Sequence, residues 1–373
     1  MVSPYTDIAF GGVSQVVPAL VREASSLDLQ IDWISTAPGK GKEWHSTSAF
    51  SHQKFFTRVS RNDFIWSVSL VFWFKENVRQ YDLVHFHTLF SPMMTRLAMI
   101  AHRSSVPYWL TPHGMLDPWA IQHRGWKKGL YWNLFEKSVF KNAARIHVLH
   151  PGEAESVRRR GIKAPTVVIS NGIERFELLN KIQLKLFWSR YPRTHGKKRI
   201  LFLARIHPKK GLDSLIRALP YLLKQEKDIT LLVVGPNEGK TKEKLEKLAI
   251  KLRVAERIEW MGLLSGEKKT AVLQGSDCFV LPSHSEGLSH AILEAMAAGI
   301  PCAITQECSF DEVVKQRGAW RIERNPESMA ETLISILQDL PAARKQAEIG
   351  QDFVLKNHLW SEIGKKLRKA YRE

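Results

Sequence analysis

Two acids and two cations in this chain could work together on a phosphorylated sugar. Glu286 and Glu294 lie eight residues apart in the stretch His284-Ser-Glu-Gly-Leu-Ser-His-Ala-Ile-Leu-Glu-Ala-Met-Ala-Ala-Gly299. On one continuous helix that spacing leaves them roughly 80° out of register. They share a site only if Glu286 sits in a loop at the mouth of the helix that carries Glu294. Gly287 lets backbone come close to a ligand. The N–H groups of Leu288 and Ser289 then open the helix, where a phosphate is favoured. The residue types suit a nucleoside diphosphate at the helix mouth, with a carboxylate left for sugar hydroxyls. On spacing alone, a surface acid and a helix-face acid fit equally well. The cations are Arg205 and Lys210, which follow the apolar run Ile200-Leu-Phe-Leu-Ala204. Fixed there, they would neutralise the charge that grows on a leaving diphosphate. Two surface cations are the plain alternative. No Asp-x-Asp occurs in the sequence, so no metal site is expected.

These groups need elements to hold them. Cys278-Phe-Val-Leu-Pro-Ser283 reads as a buried strand and Pro301-Cys-Ala-Ile-Thr305 as another, with Ser289 as N-cap and Gly299 as stop of the helix between. Strands also fit 199–204, 229–235 and 258–262, with a helix over 212–224. In the first half, Met1-Val-Ser-Pro4 fits the end of a strand, and Leu29–Ser35 fits a second. Gly11-Gly12 before a helical pattern allows close approach of a phosphate, although most such pairs are turns. Residues 38–62 read as an irregular functional loop. Ile65–Phe74 reads as a core-facing helix, with a membrane-interface segment as the rival reading. Thr111-Pro-His-Gly-Met-Leu-Asp-Pro-Trp119 places His113 at a strand's carboxyl end, where α/β sheets keep ligands. Asp117 and Trp119 could serve an acceptor, since an indole face suits a pyranose ring, or simply pack.

The bulk composition narrows the class. With 373 residues the chain should hold two domains. Lys+Arg 55 against Asp+Glu 37 gives a formal net charge of +18. That invites nucleic acid, an anionic membrane surface or phosphorylated substrates. No zinc-finger or RNP-like pattern supports nucleic acid. The basic clusters 123–128 and Arg158–Arg160 could meet anionic headgroups. Cys278, Cys302 and Cys308 suit reduced thiols and a cytoplasmic protein. No apolar stretch is long enough for a transmembrane helix, and no signal peptide is visible.

The pattern Glu286-x7-Glu294, within Glu-Gly-Leu-Ser-His-Ala-Ile-Leu-Glu-Ala-Met-Ala-Ala-Gly, resembles the signature of retaining family-4 glycosyltransferases. Arg205-x4-Lys210-Gly211 matches the same family's cation motif. His113-Gly-Met-Leu-Asp-Pro-Trp119 resembles a loop of exopolysaccharide glycosyltransferases. The resemblance implies an α/β protein of GT-B fold: two Rossmann-like doubly wound parallel-sheet domains facing a central crevice. It implies an acceptor-side domain over 1–172, a connection over 173–198 and a nucleotide-sugar domain over 199–356. Residues 357–373 would form a helix returning to the first domain. Relatives usually carry more apolar residues before Met1, so a start further upstream is expected. By resemblance, Gly12 faces donor phosphates, His113 and Glu286 hold the donor sugar, Arg205 and Lys210 the diphosphate, and Glu294 the ribose. The loop Gly262–Ser265, with Leu264, would hold the base. The expected reaction moves a hexose, best read as glucose from UDP-glucose, to a saccharide or lipid-linked saccharide. No cofactor and no nucleic acid are expected. The place would be cytoplasmic, peripheral at the inner face of the plasma membrane. A silent nucleotide-binding module or a sugar-nucleotide epimerase of similar architecture is the alternative.

Overall fold

The computed structural model describes residues 1–6, 13–26, 28–37, 45–48, 51–58, 65–116, 125–175 and 177–373. The chain forms two compact units, Met1–Gly172 with Trp360–Glu373, and Ile173–Leu359.

The first unit holds β1 (Ile31–Ala37), β2 (His45–Ser48), β3 (Ser51–Thr57), β4 (Val84–His87), β5 (Tyr108–Thr111), β6 (Arg145–Val148) and β7 (Thr166–Val168). β4 to β7 pair in parallel, in that order. Val2 bridges Ile34 of β1 and Phe86 of β4, parallel to both, so the chain's first residues fill the gap between the two groups of strands. Alternation sends successive side chains to opposite faces. Trp33 joins a core with the helices Val13–Ala24 and Trp360–Arg372, while Ile34 and Phe86 join one with Leu70, Met93 and Phe140. The last helix has a strong apolar side in Ile363 and Leu367, and it packs on the helix Val13–Ala24. A Cβ on Gly364 would lie 2.5 Å from the Glu23 carbonyl oxygen, so only glycine permits that approach.

One expectation for this unit needs correction, and another, the core-facing helix, holds with a narrow contact. The span 38–62 contains strands: β3 runs parallel to β1 and antiparallel to β2. Its polar residues gave no apolar run to read, yet backbone pairing with β1 fixes the register. The helix Val68–Asn77 buries only Leu70 and Phe74 and leaves Val68 and Phe72 exposed, so its core-facing side is narrow.

The second unit is one six-stranded sheet in the order β10-β9-β8-β11-β12-β13, parallel throughout. The strands are β8 (Lys198–Leu203), β9 (Ile229–Val234), β10 (Ile258–Gly262), β11 (Cys278–Leu281), β12 (Cys302–Ile304) and β13 (Trp320–Arg321). β9 and β11 are wholly buried, as continuous apolar runs in a parallel sheet demand. The three thiols, Cys278, Cys302 and Cys308, are buried and free. The strand order reverses between β8 and β11, which is where an open α/β sheet leaves a crevice at its carboxyl ends. The connection expected over 173–198 belongs to this unit. Its helix Lys181–Trp188 is capped by Asn180 and buries Phe187 and Trp188, and Arg199 lies over the Trp188 ring. The two aromatic residues anchor it, so it does not act as a free linker.

Candidate active site

The cation loop follows β8 and the acid loop follows β11, the two neighbours at the switch point. Glycines make the close approach. Gly235, just after β9, has φ +146, and a Cβ there would stand 1.9 Å from the Ala204 carbonyl oxygen. Gly211 has φ +69, and its Cβ would stand 2.0 Å from the Pro282 carbonyl oxygen. Both positions therefore exclude other side chains. Across the Gly211 contact, His284 N–H donates to the Lys209 carbonyl at 2.8 Å, and Ser283 Oγ donates to the same carbonyl at 3.0 Å. Thr305 Oγ1 donates to the Ser283 carbonyl at 2.7 Å, tying the acid loop to the end of β12.

This framework sets Lys210 against Glu286. The Nζ lies 2.6 Å from Oε1 and 2.8 Å from Oε2, a bidentate contact between two largely buried groups. Burial alone would raise the Glu286 carboxyl, but the Lys210 charge and hydrogen bonds outweigh it and hold the group below its ordinary value. Arg205 lies on the same loop and pairs with Glu238 at 2.5 Å, where both are about half exposed. Glu294 sits in the second half of the helix His290–Ala297, which Ser289 precedes in extended backbone without a side-chain cap. Lys269 holds it at 2.6 Å. Leu264 is buried in the unit's core, whereas Leu263 is 69% exposed.

The motifs assign Glu286 and Lys210 to different parts of a ligand, and here they hold each other. Glu294 has a lysine of its own. The lysine and acid partners Lys269 and Glu238 escaped the sequence reading, because they arrive from other helices and loops and no local spacing encodes them. A diphosphate meeting this site would compete with Glu286 for Lys210. The Glu286 oxygens would then be available to hydroxyl donors.

His113 belongs to the first unit. It follows β5 with φ 53, and Gly114 follows with φ 73, a left-handed pair that turns the chain sharply. The buried Glu153 carboxylate accepts from Gly114 N–H at 2.5 Å and Leu149 N–H at 2.7 Å, clamping the turn beside the end of β6. His113 Nε2 lies 3.1 Å from His87 Nδ1. His85 stacks on His87 at 4.4 Å, and its nitrogens meet Thr111 Oγ1 at 2.6 Å and Tyr371 Oη at 2.5 Å. Burial holds His85 and His87 well below the usual histidine range and pushes His147 down to about 4. The sequence carried a signal for this cluster, namely two histidines at i and i+2 in the otherwise apolar strand Val84-His-Phe-His87. Gly12, Asp117 and Trp119 lie outside the described residues.

The family model for Glycosyltransferase Family 4 matches residues 10–175, and that for Glycosyl transferases group 1 matches 189–353. The chain belongs to the family-4 glycosyltransferases. An uncharacterized glycosyltransferase of Methanocaldococcus jannaschii is 28% identical over 214 residues, 55% of this chain and 53% of that one. A GDP-mannose-dependent monoacylated alpha-(1-6)-phosphatidylinositol monomannoside mannosyltransferase of Corynebacterium glutamicum is 28% identical over 172 residues, 44% of each. The chain spans about half the length of these curated relatives. The Anabaena protein HepE, solved with UDP and glucose, superposes with TM-score 0.78 over 100% of this chain and 99% of its own, at 14% identity. The fold is GT-B. Within the family-4 frame, the matched group-1 segment contains Arg205, Lys210, Glu286 and Glu294 together.

Family membership makes Glu294 testable by itself. If Glu294 accepts hydrogen bonds from ribose hydroxyls, as its motif implies, Glu294→Ala is expected to weaken UDP binding by about 1–3 kcal/mol. Pyrophosphate binding should not fall, since Lys269 stays. Calorimetry with both ligands checks this, and unchanged UDP affinity removes Glu294 from the site.

Proposed function

We propose that the chain is a retaining, metal-independent hexosyltransferase, moving glucose from UDP-glucose to a saccharide or lipid-linked saccharide in exopolysaccharide or envelope polysaccharide assembly. One observation carries the reading: the switch point of the second unit's sheet brings Lys210 and Glu286 into contact, with Arg205 on the same loop. Lys210 and Arg205 take the diphosphate, and the helix mouth after Gly287, through the N–H groups of Leu288 and Ser289, adds a favourable dipole. Glu286 and His113 hold the sugar, and Glu294 holds the ribose. The leaving diphosphate takes the acceptor's proton on the same face of the sugar, so no protein nucleophile is assigned. Gly262, Leu263, Leu264 and Ser265 carry no carboxylate, the acceptor that would answer guanine's N–H donors, and this favours uracil read by backbone. A thermal-shift screen of UDP, GDP and ADP with their sugars tests the donor, and GDP-mannose, named in the mannosyltransferase relative, is the competing choice.

The acceptor class and the charge belong together in this reading. Trp126, Leu130 and Leu134 recur every fourth residue and are exposed on the first unit, and Arg160 lies over the Trp132 ring of the same helical run. Arg158 and Arg159 share one acid, Glu155. No helix among the described residues is long and apolar enough to cross a membrane. Sedimentation with anionic vesicles should exceed that with neutral ones and disappear at high salt, each basic side chain near the surface contributing about 1 kcal/mol. Equal sedimentation with both vesicle types would sink the membrane part of the proposal.

A further inference from the structure

We infer that His87 is a positioning residue that fixes the tautomer of His113, keeping its ring proton on Nδ1. The inference rests on the reading that His113 touches the donor sugar.

The argument is an accounting of protons. His87 Nδ1 and His113 Nε2 are 3.1 Å apart, so one carries a hydrogen and the other a lone pair. The other nitrogen of His87, Nε2, is buried and has no hydrogen-bond partner among the described residues. If His113 donated, His87 would be left with a buried Nε2–H and nothing to receive it. If His87 donates, the orphan is a bare lone pair. Buried orphan donors are rarer than under-used acceptors. The neighbouring ring shows which orphan this core accepts. His147 Nε2 lies 2.6 Å from the Ile169 carbonyl, and a carbonyl can only accept, so Nε2 carries the hydrogen. The buried atom of His147 without a partner among the described residues is then the bare Nδ1. The same choice at His87 sends its Nδ1–H to His113 Nε2. Neutral His113 consequently bears its hydrogen on Nδ1.

The surroundings hold this arrangement still. His87 is wholly buried and stacked on His85, whose own nitrogens are engaged by Thr111 and Tyr371. Burial and the neighbouring rings keep His87 neutral, so it cannot offer two donors. The left-handed turn at His113 and Gly114, clamped by Glu153, fixes the other end of the contact. A solvent-exposed neutral histidine side chain favours the Nε2–H form, so the fold selects the less common tautomer. That choice decides which ring atom donates to a sugar oxygen.

Long-range proton–nitrogen correlation spectra of the whole chain, labelled at histidine, read the tautomer directly. The His113 signals are assigned by their loss in His113→Asn. In the wild type they should show the Nδ1–H pattern. In His87→Phe, which keeps an aromatic ring but no donor, they should move to the Nε2–H pattern. His87→Asn places an amide donor near the old Nδ1 and should restore the wild-type pattern. Donor turnover should follow: kcat falls about tenfold to a hundredfold in His87→Phe with KM little changed, and recovers most of the loss in His87→Asn. A wild-type His113 protonated on Nε2 overturns the inference, and needs no variant to fold. An unchanged His113 pattern in a folded His87→Phe does so as well. If the spectra behave as stated but no nucleotide sugar is turned over, the tautomer assignment stands and the proposed reaction fails.

Discussion

Replacing Lys210 by alanine should lower donor turnover by about a hundredfold or more and change nucleotide affinity far less. The leaving diphosphate gains negative charge as the glycosidic bond breaks, and a fixed cation acts mainly on that developing charge. Losing one such group costs on the order of 3–4 kcal/mol in the transition state. Lys210 is the stronger candidate of the two cations, because it is largely buried while Arg205 is about half exposed. Removing it has a second consequence. Glu286 is left as a buried carboxylate without its counter-ion, which is destabilising by about 3–5 kcal/mol. The carboxyl's folded value lies below the ordinary one, so the pair's contribution is complete above the usual carboxylate range. It is lost only as pH falls through the folded value. The double variant Lys210→Met with Glu286→Gln removes both charges and should regain stability without regaining turnover. Steady-state kinetics in EDTA, beside urea unfolding, separates the two effects. Wild-type rates in both variants would remove Lys210 from the reaction, and activity abolished by EDTA would contradict metal independence.

The first unit should lose stability on acidification well before the Lys210–Glu286 pair does. His147 is pushed down to about 4 by burial, with the Ile169 carbonyl opposing only in part. Unfolded, it titrates near 6.5. Between those values the unfolded chain binds a proton that the folded chain refuses, so stability rises with pH across the window. On going from pH 7 to pH 4 the loss is about 3 kcal/mol for His147 alone. His85 and His87, held well below the usual range by burial, act in the same direction. Hydrogen exchange of β4 to β6 at pH 7.5 and pH 4.5 reads this locally. Equal protection at both values would mean that the cluster takes up protons without unfolding.

The sequence and the structure agree most closely where apolar runs are long. β10 occupies 258–262 as read, and the helix expected over 212–224 runs Leu212–Gln225 despite Pro220 inside it. The helix of Glu294 starts after Ser289 as expected, though without a side-chain cap bond, and stops at Gly299, which has φ +70. β3 was hidden because Ser51-His-Gln-Lys54 has no apolar alternation, and its stability comes from the strand beside it. The helix Lys181–Trp188 was hidden for the opposite reason. Its neighbours are polar, and only the packing of Phe187 and Trp188 shows that it belongs to a core. For the site, the motif residues were legible one at a time. Their pairing was not, since a contact such as Lys269 to Glu294 depends on how two helices lie together.

Thermal unfolding of the whole chain in EDTA, with and without UDP, tests the central claim most directly. A ligand bound only by the folded state stabilises it by about 2.7 kcal/mol at a hundredfold excess over Kd. UDP should raise the midpoint, GDP and ADP should raise it less, and Glu294→Ala should lose about 1 kcal/mol or more of the UDP effect. No shift with any nucleoside diphosphate or nucleotide sugar would contradict a donor site built on Lys210, Glu286 and Glu294.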